Sequence, residues 1–87
     1  MNDEINFILE EAGLTLDEIR SSSRSQNILL MRHYISYYLL EKRYTYQEVG
    51  DFVNRDRTTI YNSQKVIREL LSINYKPLLK WKKYLQK

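Results

Sequence analysis

The stretch Thr45-Tyr46-Gln47-Glu48-Val49-Gly50-Asp51-Phe52-Val53-Asn54-Arg55-Asp56-Arg57-Thr58-Thr59-Ile60 decides the fold. Thr45 and Glu48 have capping-box spacing: the Thr hydroxyl accepts the Glu48 amide, and the Glu carboxylate accepts the Thr45 amide. Tyr44 and Val49 flank the box as an apolar staple. A short helix is therefore predicted over residues 46–52. Residues 53–55 form a tight turn, and Asn is the usual non-Gly occupant of left-handed backbone. A longer helix follows to about residue 71, with Ile60, Ser63, Ile67 and Leu70 facing inward. Two helices that cross closely need a small residue at the crossing. They need a left-handed residue in the turn and an apolar anchor on the second helix. Gly50, Asn54 and Ile60 fill those places, with Val49 and Val53 anchoring the first helix.

This is the spacing of a helix-turn-helix, and the flanks extend it. Upstream, a long helix over residues 25–43 carries the stripe Ile28, Met31, Ile35, Tyr38 and Leu39, with Lys42 and Arg43 at its negative end. Before it, Ile5, Ile8, Leu9 and Ala12 make one face of a helix over residues 3–12. Gly13 ends that helix, and Leu14 closes back on Leu9. Residues 15–18 form a second capping box opening a short helix that Ser21-Ser22-Ser23 breaks into a loop. Downstream, a last helix is predicted from Lys76 or Pro77 to about residue 85, docking Leu78, Trp81 and Leu85. The expected fold is all-α, a bundle of five to six helices in one domain over residues 1–87. It comprises an acidic leader (1–20), the core and helix-turn-helix (25–71), and a basic C-terminal helix (76–86).

Composition narrows the chemistry. The 87 residues contain no Cys, which removes disulfide frameworks and cysteine-based zinc sites. The longest aliphatic run is Ile28-Leu29-Leu30-Met31, far short of a membrane span, and the N-terminus lacks the basic start of a signal peptide. A soluble, cytoplasmic protein is expected. Residues 1–20 hold six carboxylates against Arg20 alone, whereas residues 21–87 hold thirteen of the fourteen Lys and Arg against five carboxylates. A basic body suits a polyanionic partner; surface helices also carry charge for solubility alone. Arg57, Thr58, Tyr61, Asn62 and Lys65 fall on the outer side of the second motif helix. They are cations, methyl groups and donors of the kind that read the major groove.

Residues 23–67 resemble the C-terminal DNA-binding domain of the bacterial replication initiator DnaA. The resemblance rests on Arg24, on Met31-Arg32-His33, on Gln47-Glu48-Val49-Gly50 and above all on Arg55-Asp56-Arg57-Thr58-Thr59-Ile60. It implies a Trp-repressor-like fold that binds double-stranded DNA in replication initiation or transcription regulation. It implies Arg24 in the minor groove and Arg32 on a phosphate. Asp56, Thr58 and Thr59 are implied to meet bases and phosphates in the major groove, with Arg55 a further phosphate contact. Lys65 and Tyr46 are added as phosphate contacts. Arg57 replaces the family's histidine and favours the O6/N7 edge of guanine, so the preferred sequence should differ. The turn is one residue shorter than the family's, and the basic loop has only Arg24.

No phosphate-binding loop is present, and no acid/base, nucleophile or metal set converges. His33 has Tyr37, not a carboxylate or His, one turn on. The expectation is no enzyme, cofactor, metal or small-molecule substrate. Tyr34, Tyr37, Tyr38 and Tyr44 are expected to line the core and its rim, and Asp51 to serve a cap or turn. The tail Lys80-Trp81-Lys82-Lys83-Tyr84 is expected to pack its apolar side rather than lie on a membrane. Two rivals stand beside DNA reading: a protein-interaction module working through the acidic leader, and a non-specific nucleic-acid binder. By analogy, a DNA-binding domain without a motor suits a phage or mobile element.

Overall fold

The computed structural model describes residues 3–85. Six α-helices run α1 Asp3–Ala12, α2 Leu16–Arg20, α3 Gln26–Glu41, α4 Tyr46–Val53, α5 Arg57–Ser72 and α6 Lys76–Leu79, followed by a 3₁₀ turn at Lys82–Tyr84. Strands are absent among the described residues, as the helical periodicities predict.

Helix α3 is the spine. Met31, Tyr34, Ile35, Tyr38 and Leu39 are buried on it, and α2, α4 and α5 all pack against it. Ile28 is only half-buried, at the open end of the stripe. From the other helices Ile5, Ile8, Leu9, Ile19, Val49, Val53, Ile60, Ile67 and Leu78, with Trp81 just beyond the last of them, complete one core. Tyr34 and Tyr38 lie fully inside it, and Tyr37 and Tyr44 pack at its edge.

The termini explain the helix lengths. Both capping boxes form, Thr15 with Glu18 and Thr45 with Glu48. Helix α1 ends at left-handed Gly13, where the Leu14 amide donates to the Leu9 carbonyl at 3.0 Å. Helix α3 ends in the same way two residues before the expected limit, with Arg43 at φ 75° and the Tyr44 amide on Leu39. Asn54 is left-handed as expected, at φ 62° and ψ 49°.

The C-terminal helix departs from expectation. It stops at Leu79, and a 3₁₀ turn replaces its second half. The Trp81 amide bonds Leu78 three residues back, and the Trp81 carbonyl accepts from the Tyr34 hydroxyl at 2.8 Å. The Trp81 carbonyl also accepts the Tyr84 amide at 3.2 Å, so the chain continues in three-residue bonding while the Tyr34 tether holds Trp81 at the core. Residue 86, the expected end of this helix, lies outside the described residues.

Candidate nucleic-acid interface

The two motif helices meet where Gly50 faces the turn. A Cβ at Gly50 would lie 2.5 Å from the Arg55 carbonyl oxygen, so the approach requires glycine. The Arg55 amide donates to the Gly50 carbonyl at 2.8 Å, closing the turn. Asp56 then caps α5, its carboxylate accepting the Thr59 amide at 2.8 Å. Those bonds from Thr59, with Thr58 adding a smaller share, hold its carboxyl below the usual aspartate value.

Helix α5 is divided lengthwise. Ile60, Ser63 and Ile67 are buried against α3, and Leu70 is half-buried. Arg57, Thr58, Tyr61, Asn62 and Lys65 are exposed, and Tyr61 is 60% exposed despite its size. Thr59 is half-buried beside its cap. Tyr46, the first residue of α4, reaches over to this surface: its ring lies 6.3 Å from that of Tyr61, and its hydroxyl donates to Gln64 Oε1 at 2.7 Å. Tyr46, Arg57, Thr58 and Tyr61 line a shallow hollow there. Gln64 was not singled out from sequence. Its position seven residues beyond Arg57, two turns along the same side, was the available signal.

No hydrogen bond or ion pair among the described residues joins α1 to this surface. The acidic helix is tied elsewhere: Glu11 accepts from Lys83 at 3.2 Å and from the Tyr84 hydroxyl at 3.0 Å, and Glu4 accepts from Tyr38. The outer side of α5 is open.

Two of the expected phosphate contacts, Arg32 and Arg55, are hydrogen-bonded within the protein itself. Arg32 is 5% exposed, and its Nε donates to the Ile19 carbonyl at 2.7 Å. Its Nη2 donates to the carbonyls of Ser21 at 2.9 Å and Ser23 at 3.3 Å. A buried guanidinium needs partners. These carbonyls, at the end of α2 and just beyond it, supply them. Burial first, and then the charge of Arg55, lowers the Arg32 pKa from its ordinary value. Arg55 is half-buried, and its fork is spent on the carbonyls of Ser21 at 2.6 Å and Asn54 at 2.8 Å. Arg24 is exposed in the same loop and makes no hydrogen bond among the described residues.

The remaining polar residues have structural tasks. His33 Nδ1 pairs with the buried Ser63 hydroxyl at 2.6 Å, joining α3 to α5. Its pKa is held below the ordinary 6.5 by burial and, less, by Arg32. Gln47 donates to Asp51 along α4. No group of three His, Cys, Asp or Glu able to hold a metal occurs among the described residues. No helix among them is long and apolar enough to cross a membrane.

A tight, glycine-dependent crossing, a left-handed Asn, a capped second helix and an open polar side on that helix define a helix-turn-helix. The family described as the bacterial dnaA protein helix-turn-helix matches residues 3–67. The chain belongs to this family. No curated protein and no solved structure matches it. Membership in the DnaA helix-turn-helix family, which binds double-stranded DNA, makes this a DNA-binding domain. The DnaA-type match includes α1, α2 and α3 as well as the motif itself, so the leader helices are part of the family's domain.

Proposed function

We propose that the chain reads a specific duplex sequence by laying α5 in the major groove and Arg24 in the adjoining minor groove. The observation that carries this reading is the lengthwise division of α5. One side is fixed to α3, and the other presents Arg57, Thr58, Tyr61, Asn62 and Lys65 to solvent. Arg57 suits the O6 and N7 atoms of guanine, and Asn62 suits adenine. The Thr58 methyl and the Tyr61 ring suit thymine methyls, and the Asp56 carboxylate suits a cytosine amino group. Thr59 and Lys65 suit phosphates, which set register without reading sequence, and the Tyr46 hydroxyl joins them by exchanging its Gln64 acceptor for a phosphate oxygen. Arg24 suits a narrow A/T-rich minor groove, whose negative potential attracts guanidinium. The domain acts without hydrolysing ATP, in replication initiation or in transcription control.

Selection of bound sequences from a random duplex pool, followed by salt titration on the winner, tests this. One enriched sequence is expected, each single-base change in it costing about 1–3 kcal/mol. Equal competition by scrambled duplex or single strands makes the protein a non-specific binder. Absence of salt-sensitive binding to any duplex removes the reading.

A second reading has its own observation. Phe7 is 61% exposed on α1 beside Glu4, Glu10, Glu11 and Tyr84. This acidic, apolar-centred surface suits a basic protein segment. A Phe7→Ser substitution that leaves DNA affinity intact but abolishes capture of a DNA-associated partner supports it.

A further inference from the structure

The 20–25 segment is short, lies outside any helix for most of its length, and carries Arg24. Loops of this kind are mobile unless their backbone is tied down. Here the ties are unusually complete. The Ser21 hydroxyl donates to the Glu18 carbonyl at 2.7 Å and accepts the Ser23 amide at 3.2 Å. The Ser23 hydroxyl accepts the Ser25 amide at 3.2 Å. Arg32 then holds the carbonyls of Ile19, Ser21 and Ser23 from inside the core. Arg55 holds Ser21 from the other side, so one carbonyl oxygen accepts from two guanidiniums.

Capping α2 explains Arg32 alone. It does not explain why the second guanidinium comes from the helix-turn-helix turn itself. Arg55 sits between the left-handed Asn54 and the capping Asp56, and its other amine donates to the Asn54 carbonyl at 2.8 Å. The same side chain therefore fixes the start of α5 and the root of the Arg24 loop. We propose that Arg32 and Arg55 are positioning residues that clamp the Arg24 loop to the recognition turn, setting the distance between the minor-groove contact and the major-groove helix. This rests on the DNA-binding reading above. A planar fork with five N–H donors can reach carbonyls on two segments at once; a lysine ammonium on a flexible stem cannot fix their relative position.

The test compares two duplexes that share the selected core and differ only in an A/T or a G/C flank. Arg32 substitutions risk unfolding the core, so the half-buried Arg55 is the site to change, with thermal unfolding as the control for folding. The unmodified protein is expected to favour the A/T flank on the order of tenfold, as for one mismatched contact. Arg24→Ala removes that preference. Arg55→Gln and Arg55→Lys each reduce it towards one, while discrimination between matched and mismatched cores survives. The double variant Arg24→Ala/Arg55→Gln shows no further loss of flank preference than Arg24→Ala alone. The proposal is overturned by Arg55→Gln weakening both flanks equally, the signature of a phosphate contact or a purely structural role. Flank losses that multiply in the double variant overturn it too. A flank preference indifferent to Arg24→Ala also overturns it, yet leaves major-groove reading standing if core discrimination persists. Failure of every duplex to bind removes both.

Discussion

Arg57 opens α5 with its side chain exposed, and that side chain makes no hydrogen bond among the described residues. A long cation in that position adds no buried contact, in keeping with the base-reading role proposed for it. Arg57→Ala is expected to cost about 1–3 kcal/mol on the selected site and to relax one base position. Matched losses on selected and scrambled duplexes, measured by titration, would remove it from base reading. His33 makes a different prediction, about stability. Its folded pKa is depressed, so the unfolded chain takes up a proton first on acidification. The stability contributed by neutral His33 is present above pH 6.5 and is lost as pH falls through the lower, folded value. Denaturant midpoints should therefore fall between pH 7.5 and 5 more steeply for the natural protein than for His33→Gln. Parallel curves would place the acid-sensitive group elsewhere.

The ends of the helices carry much of the specification of this fold. Gly50→Ala drives a methyl into the Arg55 carbonyl and is expected to cost about 1–3 kcal/mol, read by chemical denaturation. Arg43 presents the opposite case. It is exposed and left-handed at φ 75°, a conformation disfavoured for a side chain with a Cβ. Arg43→Gly should raise stability by about 0.5–1 kcal/mol; a loss would mean that the arginine has a contact the ending itself does not require. The same contrast explains what was legible beforehand. Gly50, Asn54 and the two Thr-x-x-Glu boxes signal through local geometry, so the motif and most helix starts could be read directly. The tether beyond the stop at Leu79 comes from Tyr34, 47 residues before the carbonyl it holds, and no local pattern announces it. The internal partners of Arg32 and Arg55 are illegible in the sequence for the same reason. A surface arginine and a carbonyl clamp have identical sequence signals until the loop that needs them is folded beside them. Gln64 was missed because its significance comes from Tyr46 on the preceding helix.

At the scale of the whole molecule, charge is sorted in space as well as along the chain. The carboxylates of α1 include Glu11, paired with Lys83 and hydrogen-bonded by Tyr84 at the C-terminal segment, while the open side of α5 carries Arg57 and Lys65. The salt dependence of duplex binding then counts the phosphates that the basic side meets. Each neutralised phosphate lowers the logarithm of the binding constant by about 0.9 per decade of salt. Lys65→Ala should reduce that slope by about one, because an exposed ammonium in this position releases a counterion on binding. Arg32→Met should leave the slope as it is and lower the unfolding temperature instead, since its guanidinium is already occupied by three carbonyls inside the protein. A folded Arg32→Met variant with a shallower slope would mean that the side chain leaves the interior to meet DNA. The clamp on the Arg24 loop would then be a feature of the free protein alone.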